Sequence, residues 1–156
     1  MAKIHQFEAA LRWTGNTGSG TTGYKAYDRT WDLQTPGKPV MHCTNDPELG
    51  GDPSKYNPED MLIAALSSCH MLWYLHLCAI TGVVVVEYVD RAAGALQINK
   101  DGSGQFISVT LRPQILISAR SDMAKAKSAH NQAHKYCFIA RSVSFPVKCE
   151  PAIAIA

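Results

Sequence analysis

The chain has 156 residues, 46% of them apolar, and a formal net charge of +2 at neutral pH. This length predicts a single domain over residues 1–156 with a core of its own. Because no run of five basic residues occurs and no segment reaches the roughly 18 apolar residues of a membrane span, we expect neither nucleic acid nor a membrane as a partner.

The first third of the chain is predicted to be rich in strands. Residues 5–13 indicate a strand that leads into a glycine- and threonine-rich turn at residues 15–23. Residues 24–33 alternate as a second strand does, and residues 38–43 are consistent with a third. Residues 44–56 contain two prolines and two glycines, which predicts a loop.

A long helix follows, and local signals mark both of its ends. Asn57 suits the N-cap, and Pro58 suits the first helical position. The two acidic residues that come next favour the positive end of the helix dipole. The segment is apolar nearly all round as far as about Thr81, where Gly82 is a natural stop, so we expect a buried helix.

The second half alternates strands with a shorter helix. Ser121 or Asp122 caps a predicted helix from Met123 to about Tyr136, and Asp101-Gly102 marks a hairpin turn. Strands are predicted for segments 83–89, 94–99, 106–118 and 142–155, the last of which holds one or two. This order predicts an α+β fold with antiparallel sheets.

The chain has five cysteines: Cys43, Cys69, Cys78, Cys137 and Cys149. An odd number, no CxxC pair and an N-terminal segment without the features of an export signal argue against a disulfide framework, so we expect a reducing cytoplasm. Cys69 and Cys78 cannot pair, because nine helical steps place them on opposite faces and about 13 Å apart along the axis. Cys78 is predicted to be a buried small hydrophobe, and Cys43 and Cys149 are given no role.

Cys69 and Cys137 are the candidate reactive thiols. Cys69 lies about three turns into the first helix, where a cysteine is by default buried and inert. Cys137 follows the second helix at its expected end, a junction that can move, as a thiol must when it resolves a sulfenic acid. The pair therefore suggests reversible sulfur redox chemistry.

Two segments around these cysteines resemble the OsmC/Ohr family of osmotically inducible and organic hydroperoxide resistance proteins. NPEDMLIAALSSCHM, residues 57–71, is similar to the family's N-P-E…C segment, with ten residues from Glu59 to Cys69. Ala133, His134 and Cys137 match a second, A-H-x-x-C segment. The similarity continues through WTGN, GSGT and YKAYDRT, so it covers nearly the whole chain.

The resemblance implies a cysteine-based peroxidase that reduces organic hydroperoxides to alcohols. Cys69 would be the peroxidatic residue and Cys137 the resolving one, with Glu59 and an arginine completing the site. We assign the arginine as Arg29, with Arg12 as the rival. The family relationship also implies an external dithiol reductant of the lipoylated or thioredoxin type, and no cofactor or metal.

The family fold is an intertwined homodimer around a long central helix, with sites at the subunit interface. Glu59 and Cys69 lie about 15 Å apart along one helix, so they cannot touch within it. Either an arginine bridges them or Glu59 arrives from a second subunit. Arg141, after Cys137, departs from the family pattern and leaves the substrate preference open.

Three functions are alternatives to the peroxidase. The same dimeric fold suits a non-catalytic or redox-sensing protein that binds a small hydrophobic ligand. A hydrolase would need His70 or His134 to orient Cys69, together with an oxyanion donor that the sequence does not supply. His130 and His134 have the i, i+4 spacing of zinc ligands, but no acidic or cysteine ligand sits at clear spacing to complete a site, so we expect no metal.

Overall fold

A computed structural model of the chain describes residues 3–156. It has two α-helices, α1 (Pro58–Thr81) and α2 (Met123–Tyr136), and short 3₁₀ turns at Pro47–Leu49 and Ala140–Ser142. The strands are β1 (Leu11–Trp13), β2 (Trp31–Leu33), β3 (Met41–Cys43), β4 (Val85–Asp90), β5 (Ala93–Ile98), β6 (Gly104–Leu111), β7 (Pro113–Ile117), β8 (Val147–Cys149) and β9 (Ala152–Ile155). The α+β class is therefore confirmed. The chain divides after Met61 into two compact units, and the single domain stays a prediction.

The first unit contains an antiparallel sheet in the order β1-β2-β3, in which Trp31 lies opposite both Trp13 and Cys43. Its strands have three residues each, far fewer than predicted. The predicted glycine-rich turn is present between β1 and β2, where the Asn16 side-chain oxygen accepts the N–H groups of Gly18 and Gly20.

Helix α1 begins and ends where the sequence predicts. The Asn57 side chain accepts the Asp60 N–H at 2.8 Å, and the Asp60 carboxylate accepts the Asn57 N–H at 3.3 Å, which satisfies donors at the helix start. At the other end Gly82 adopts φ +79°, and the Val83 N–H reaches back to the Cys78 carbonyl at 2.9 Å. This left-handed residue closes the helix as a C-terminal glycine commonly does.

The prediction that no segment could span a membrane is wrong by length and composition. Helix α1 is long and apolar enough to do so, with a mean hydropathy of 1.5 in its most apolar window. The prediction failed because the few polar residues in the helix are small or uncharged over most of its length. The core helix of a soluble protein passes the same test, and α1 has such a buried face, formed by Leu66, His70, Tyr74, Leu77 and Cys78.

The second unit contains two mixed sheets, β4-β7-β9 and β5-β6-β8. β4 pairs antiparallel with β7, and β5 with β6, the latter through the predicted hairpin in which Gly102 has φ +85°. The expectation of purely antiparallel sheets is wrong, because β8 pairs parallel to β6 and β9 parallel to β7. The single strand predicted over residues 106–118 is also two strands. It breaks at Arg112, whose N–H donates to the Asp90 carboxylate at 2.7 Å.

Two clusters of buried residues form the core of the second unit. The smaller one joins Leu66 of α1 to Val109 and Leu111 of β6. The larger one joins α1, α2 and β7 through Tyr74, Leu77, Cys78, Val83, Ile115, Ile117, Ala126, Ala129 and Ala133. Packing of both helices on the sheets fixes the face of α1 that carries His70 and the neighbouring face that carries Cys69.

Candidate active site

Cys69 and Cys137 lie side by side in the second unit. Cys69 is half-buried on α1, and Cys137 is 1% exposed at the C-terminal end of α2. The two side chains are close enough for Cys69 to influence the ionisation of Cys137. Neither cysteine is in a disulfide. The structure therefore brings together the two cysteines that the sequence singled out.

The backbone around Cys137 explains its position. Cys137 leaves the helical conformation, with ψ 109°, while its N–H still donates to the Ala133 carbonyl at 2.9 Å. The Ala140 N–H then donates to the Cys137 sulfur at 3.4 Å. The helix end and the following 3₁₀ turn together hold the thiol in place.

Burial is the main influence on the Cys137 thiol. It raises the pKa of Cys137 to about 11, because removal from water disfavours the thiolate. The Ala140 N–H opposes this shift, whereas the neighbouring Cys69 thiol adds to it. Cys137 is therefore a protonated thiol at neutral pH.

Cys69 forms part of the wall of an open apolar cleft of about 420 Å³. Trp73 stacks on Tyr136 with ring centroids 5.2 Å apart and meets the edge of Phe138 at 5.6 Å. The cleft is lined by Ala65, Ser68, Cys69, Leu72, Trp73, Phe138 and Ile139. Such a surface suits an alkyl or aryl group bound with its polar end at the Cys69 sulfur.

Arg29 is half-buried in the first unit. Its guanidinium lies over the rings of Tyr24 and Tyr27, at 4.4 and 4.9 Å from their centroids. It also donates to the carbonyls of Tyr24, at 2.9 Å, and Tyr27, at 3.3 Å. The rival Arg12 is exposed on β1. Of the two candidates, Arg29 is thus the one that its surroundings hold in a defined position.

Glu59 lies in the first turn of α1, and one of its carboxylate oxygens, Oε2, is buried without a hydrogen-bond partner among residues 3–156. In the same described part of the chain, the ion pairs do not include one between Glu59 and Arg29. Glu59 and Arg29, which the family resemblance assigns to one site, are therefore not paired here. A buried, unpartnered carboxylate oxygen nevertheless calls for a donor.

His70 does not face Cys69, as a Cys/His hydrolase would need. Its Nε2 atom lies 3.0 Å from Nδ1 of His130 and 3.5 Å from the Cys149 sulfur. His134 is exposed on α2. His70, which follows Cys69 in the sequence, thus contacts His130 and Cys149 instead, and this weakens the hydrolase hypothesis.

Sequence reasoning missed the cluster of His70, His130 and Cys149. No cysteine stands at a clear sequence spacing from the histidines, yet β8 brings Cys149 to within 3.9 Å of His130. A signal was present: His70 lies four residues after Leu66 and four before Tyr74, on the buried face of α1. A buried histidine needs a polar partner, and that requirement points to such a cluster.

The remaining cysteines are buried and carry raised thiol pKa values. Burial raises the pKa of Cys78, which lies beside Tyr74, and that of Cys43 in the first unit. Cys78 thus behaves as the predicted small hydrophobe. Neither residue lines the cleft at Cys69.

A family model and a solved structure both relate the chain to the same family. A family model described as OsmC-like protein matches residues 51–152. An OsmC-like protein of unknown function from Vibrio cholerae is 30% identical, with a TM-score of 0.86 over 96% of this chain and 100% of that one. No curated protein matches the chain.

Two more distant structures share the fold. An organic hydroperoxide resistance protein from Elizabethkingia anophelis, with thiocyanate bound, is 16% identical, with a TM-score of 0.70 over 100% of both chains. An organic hydroperoxide resistance protein OsmC from Legionella pneumophila, described as a predicted redox protein, is 15% identical, with a TM-score of 0.68 over 98% of this chain and 99% of that one. At such identities the similarity concerns the fold.

Proposed function

This chain belongs to the OsmC-like protein family, and we propose that it is a cysteine-based peroxidase that reduces organic hydroperoxides to alcohols. The observation that carries the proposal is the juxtaposition of two free cysteines, Cys69 and Cys137, at an apolar cleft. The cleft supplies a place for the organic group, and the thiols supply two electrons. A peroxide-related role agrees with the hydroperoxide resistance proteins that share the fold.

In the first step, the Cys69 thiolate attacks the terminal oxygen of the hydroperoxide. The O–O bond breaks, an S–O bond forms, and the departing alkoxide takes up a proton to become the alcohol. Cys69 is oxidised to a sulfenic acid, and the peroxide is reduced by two electrons. An organic group in the apolar cleft would hold the peroxide at the sulfur.

In the second step, the Cys137 thiol condenses with the sulfenic acid. An S–S bond forms, and the sulfenic oxygen leaves as water with the proton of the Cys137 thiol. Because Cys137 already lies beside Cys69, little movement precedes the condensation. An external dithiol of the lipoylated or thioredoxin type then reduces the disulfide by exchange and is itself oxidised.

Arg29 and Glu59 are proposed to complete the site. A nearby guanidinium favours the thiolate over the thiol, and a carboxylate can hold that guanidinium by two parallel hydrogen bonds. The buried Glu59 Oε2 atom, which lacks a partner within residues 3–156, supports this role because it is free to accept such a bond. The pairing would form in the assembled, substrate-bound protein.

A homodimer is the proposed state, and the exposed surface of the second unit supports it. All six residues of β5 are exposed, and Leu96 and Ile98 are the large apolar ones among them. Ile107 of the paired strand β6 is 47% exposed. Apolar side chains gathered on one exposed hairpin indicate a protein interface. We place the protein in a reducing cytoplasm, where its thiols would be regenerated.

The test is one oxidation cycle on the reduced protein. Anaerobic protein receives one equivalent of cumene hydroperoxide, and mass spectrometry maps the oxidised cysteines while cumyl alcohol is quantified. We expect one alcohol and one Cys69–Cys137 disulfide per chain, and repeated turnover with a dithiol. A disulfide that forms without turnover under any dithiol would instead indicate a redox sensor, and unreacted thiols would contradict the proposal.

A further inference from the structure

His70, His130 and Cys149 converge from three different elements of the second unit. His70 comes from α1, His130 from α2, and Cys149 from the end of β8. The facing ring nitrogens, Nε2 of His70 and Nδ1 of His130, lie 3.0 Å apart. The Cys149 sulfur lies 3.5 Å from the first and 3.9 Å from the second. Three atoms that commonly bind transition metals thus form a small triangle.

The two histidines are deeply buried, at 1% and 4% exposure for His70 and His130. Their rings are nearly parallel, and the Tyr74 ring stacks on His130 at a centroid distance of 4.0 Å. The outer nitrogens, Nδ1 of His70 and Nε2 of His130, are buried and have no hydrogen-bond partner within residues 3–156. The two inner nitrogens, Nε2 of His70 and Nδ1 of His130, face each other, and the Cys149 sulfur lies within 4 Å of both.

We propose that His70 Nε2, His130 Nδ1 and Cys149 Sγ bind a Zn²⁺ ion. Tetrahedral zinc with Zn–N bonds of about 2.05 Å and Zn–S bonds of about 2.3 Å separates two nitrogens by about 3.3 Å and nitrogen from sulfur by about 3.5 Å. The observed separations are 3.0, 3.5 and 3.9 Å. These separations are within a few tenths of an ångström of the zinc values, and the two rings, whose nitrogens face each other, would also turn to direct both lone pairs at the ion.

Hydrogen bonding within the cluster accounts for only part of this arrangement. A single N–H shared between the rings would satisfy the 3.0 Å contact of His70 and His130. That pair has no need of a thiol within 4 Å of both nitrogens, yet Cys149 is there. Two imidazoles with one thiolate are a ligand set that zinc takes in proteins.

A cavity of about 270 Å³ gives the ion access from solvent. His130 and Cys149 form its inner wall, and Lys127, Asn131 and His134 are among the residues that line the rest. The cavity leaves room for a fourth ligand, which would be water. Catalytic zinc sites typically have three protein ligands and one exchangeable ligand.

The test is metal binding by chelator-treated, reduced protein. We expect one Zn²⁺ per chain in a competition titration, and a thiolate-to-metal charge-transfer band when Co²⁺ replaces Zn²⁺. X-ray absorption of the zinc form should show two nitrogen ligands and one sulfur ligand. Cys149→Ser should abolish the cobalt band and lower zinc affinity by roughly 100-fold or more, because the thiolate ligand is lost.

Control variants distinguish the proposed zinc site from the redox thiols. Cys69→Ser and Cys137→Ser should bind zinc as the wild type does, and so should His76→Ala, which removes an exposed histidine from α1. Loss of binding in either cysteine variant, or a one-to-one zinc complex without a sulfur ligand, would overturn the proposal. So would the absence of zinc uptake by the wild type, a readout that does not depend on any variant folding. None of these zinc-binding results tests hydroperoxide reduction.

Discussion

The Cys137 thiol at the end of α2 lies beside the Cys69 thiol in the middle of α1. The first is buried and protonated at neutral pH, and the second borders an open apolar cleft. This difference in surroundings separates their proposed roles, because only Cys69 is open to a substrate in the cleft. Cys137 lies beside Cys69 on the buried side, away from the cleft.

Replacing Cys69 by serine should abolish hydroperoxide reduction. A hydroxyl is nearly isosteric with the thiol but is a far weaker nucleophile at neutral pH. Alcohol production from cumene hydroperoxide would be measured, with circular dichroism as the check on folding. Cys78→Ser is the matched control on the same helix and should retain activity. A Cys69→Ser variant that keeps most of the rate would show that the nucleophile is another residue.

Replacing Cys137 by serine should leave the first oxidation intact and block recycling. One equivalent of alcohol should form, and a Cys69 sulfenic acid should accumulate or proceed to the sulfinic acid with excess peroxide. Trapping with dimedone followed by mass spectrometry detects the sulfenic acid. If the wild type forms mainly a disulfide from Cys69 to a cysteine other than Cys137, the assignment of Cys137 is wrong.

The rate of disulfide formation should increase with pH. Burial raises the pKa of Cys137 to about 11, so near pH 7 the thiolate, the attacking species, is a very small fraction. Below that pKa, each pH unit increases the thiolate fraction roughly tenfold, so the resolving step should accelerate steadily from pH 7 to 9. Rapid quenching with dimedone at several pH values separates this step from sulfenic acid formation. A resolving rate that does not change with pH would mean that Cys137 is not the attacking thiol.

Stability should depend strongly on one leucine of α1 and little on another. Leu66 is fully buried against Val109 and Leu111, whereas Leu72 is 62% exposed. Leu66→Ala should lower the free energy of unfolding by about 2–5 kcal/mol, because it leaves a cavity. Leu72→Ala should cost well under half of that. Urea unfolding of both variants provides the measurement, and equal losses would contradict the described packing.

Local signals in the sequence were sufficient to predict both helices. Asn57 and Asp122 cap them through side chains that accept N–H groups of the first turn, and such contacts span only a few residues. Strand pairing involves distant residues, so the parallel contacts of β8 and β9 could not be predicted in this way. The break at Arg112 depends on Asp90, which is also distant in sequence.

The two candidate sites also differ in how far local sequence signals could predict them. Cys69 and Cys137 were identified because short motifs around them resemble a known family, and their catalytic roles stay predictions. Cys149 lies in no such motif. Its partners, His70 and His130, could be assigned to the buried faces of their helices from periodicity alone. That the end of β8 reaches them depends on tertiary packing.

Arg29 is the proposed cation that favours the Cys69 thiolate. Arg29→Ala should slow alkylation of Cys69 by iodoacetamide at pH 7, because removing a nearby cation disfavours the anion. The rate should recover as the pH approaches the ordinary thiol value of about 8.5. Arg29→Lys should rescue poorly, since an ammonium group cannot form the planar two-point contact with Glu59.

Two further variants decide whether the effect is specific to Arg29. Arg12→Ala removes an exposed cation from β1, and Arg141→Ala removes one from the 3₁₀ turn after Cys137. Both should alkylate with the wild-type pH profile. Because Arg29 also bonds to the carbonyls of Tyr24 and Tyr27, circular dichroism and thermal unfolding must show that Arg29→Ala keeps its fold. A wild-type profile for a folded Arg29→Ala would assign the role to whichever of Arg12 and Arg141 shifts the profile when replaced.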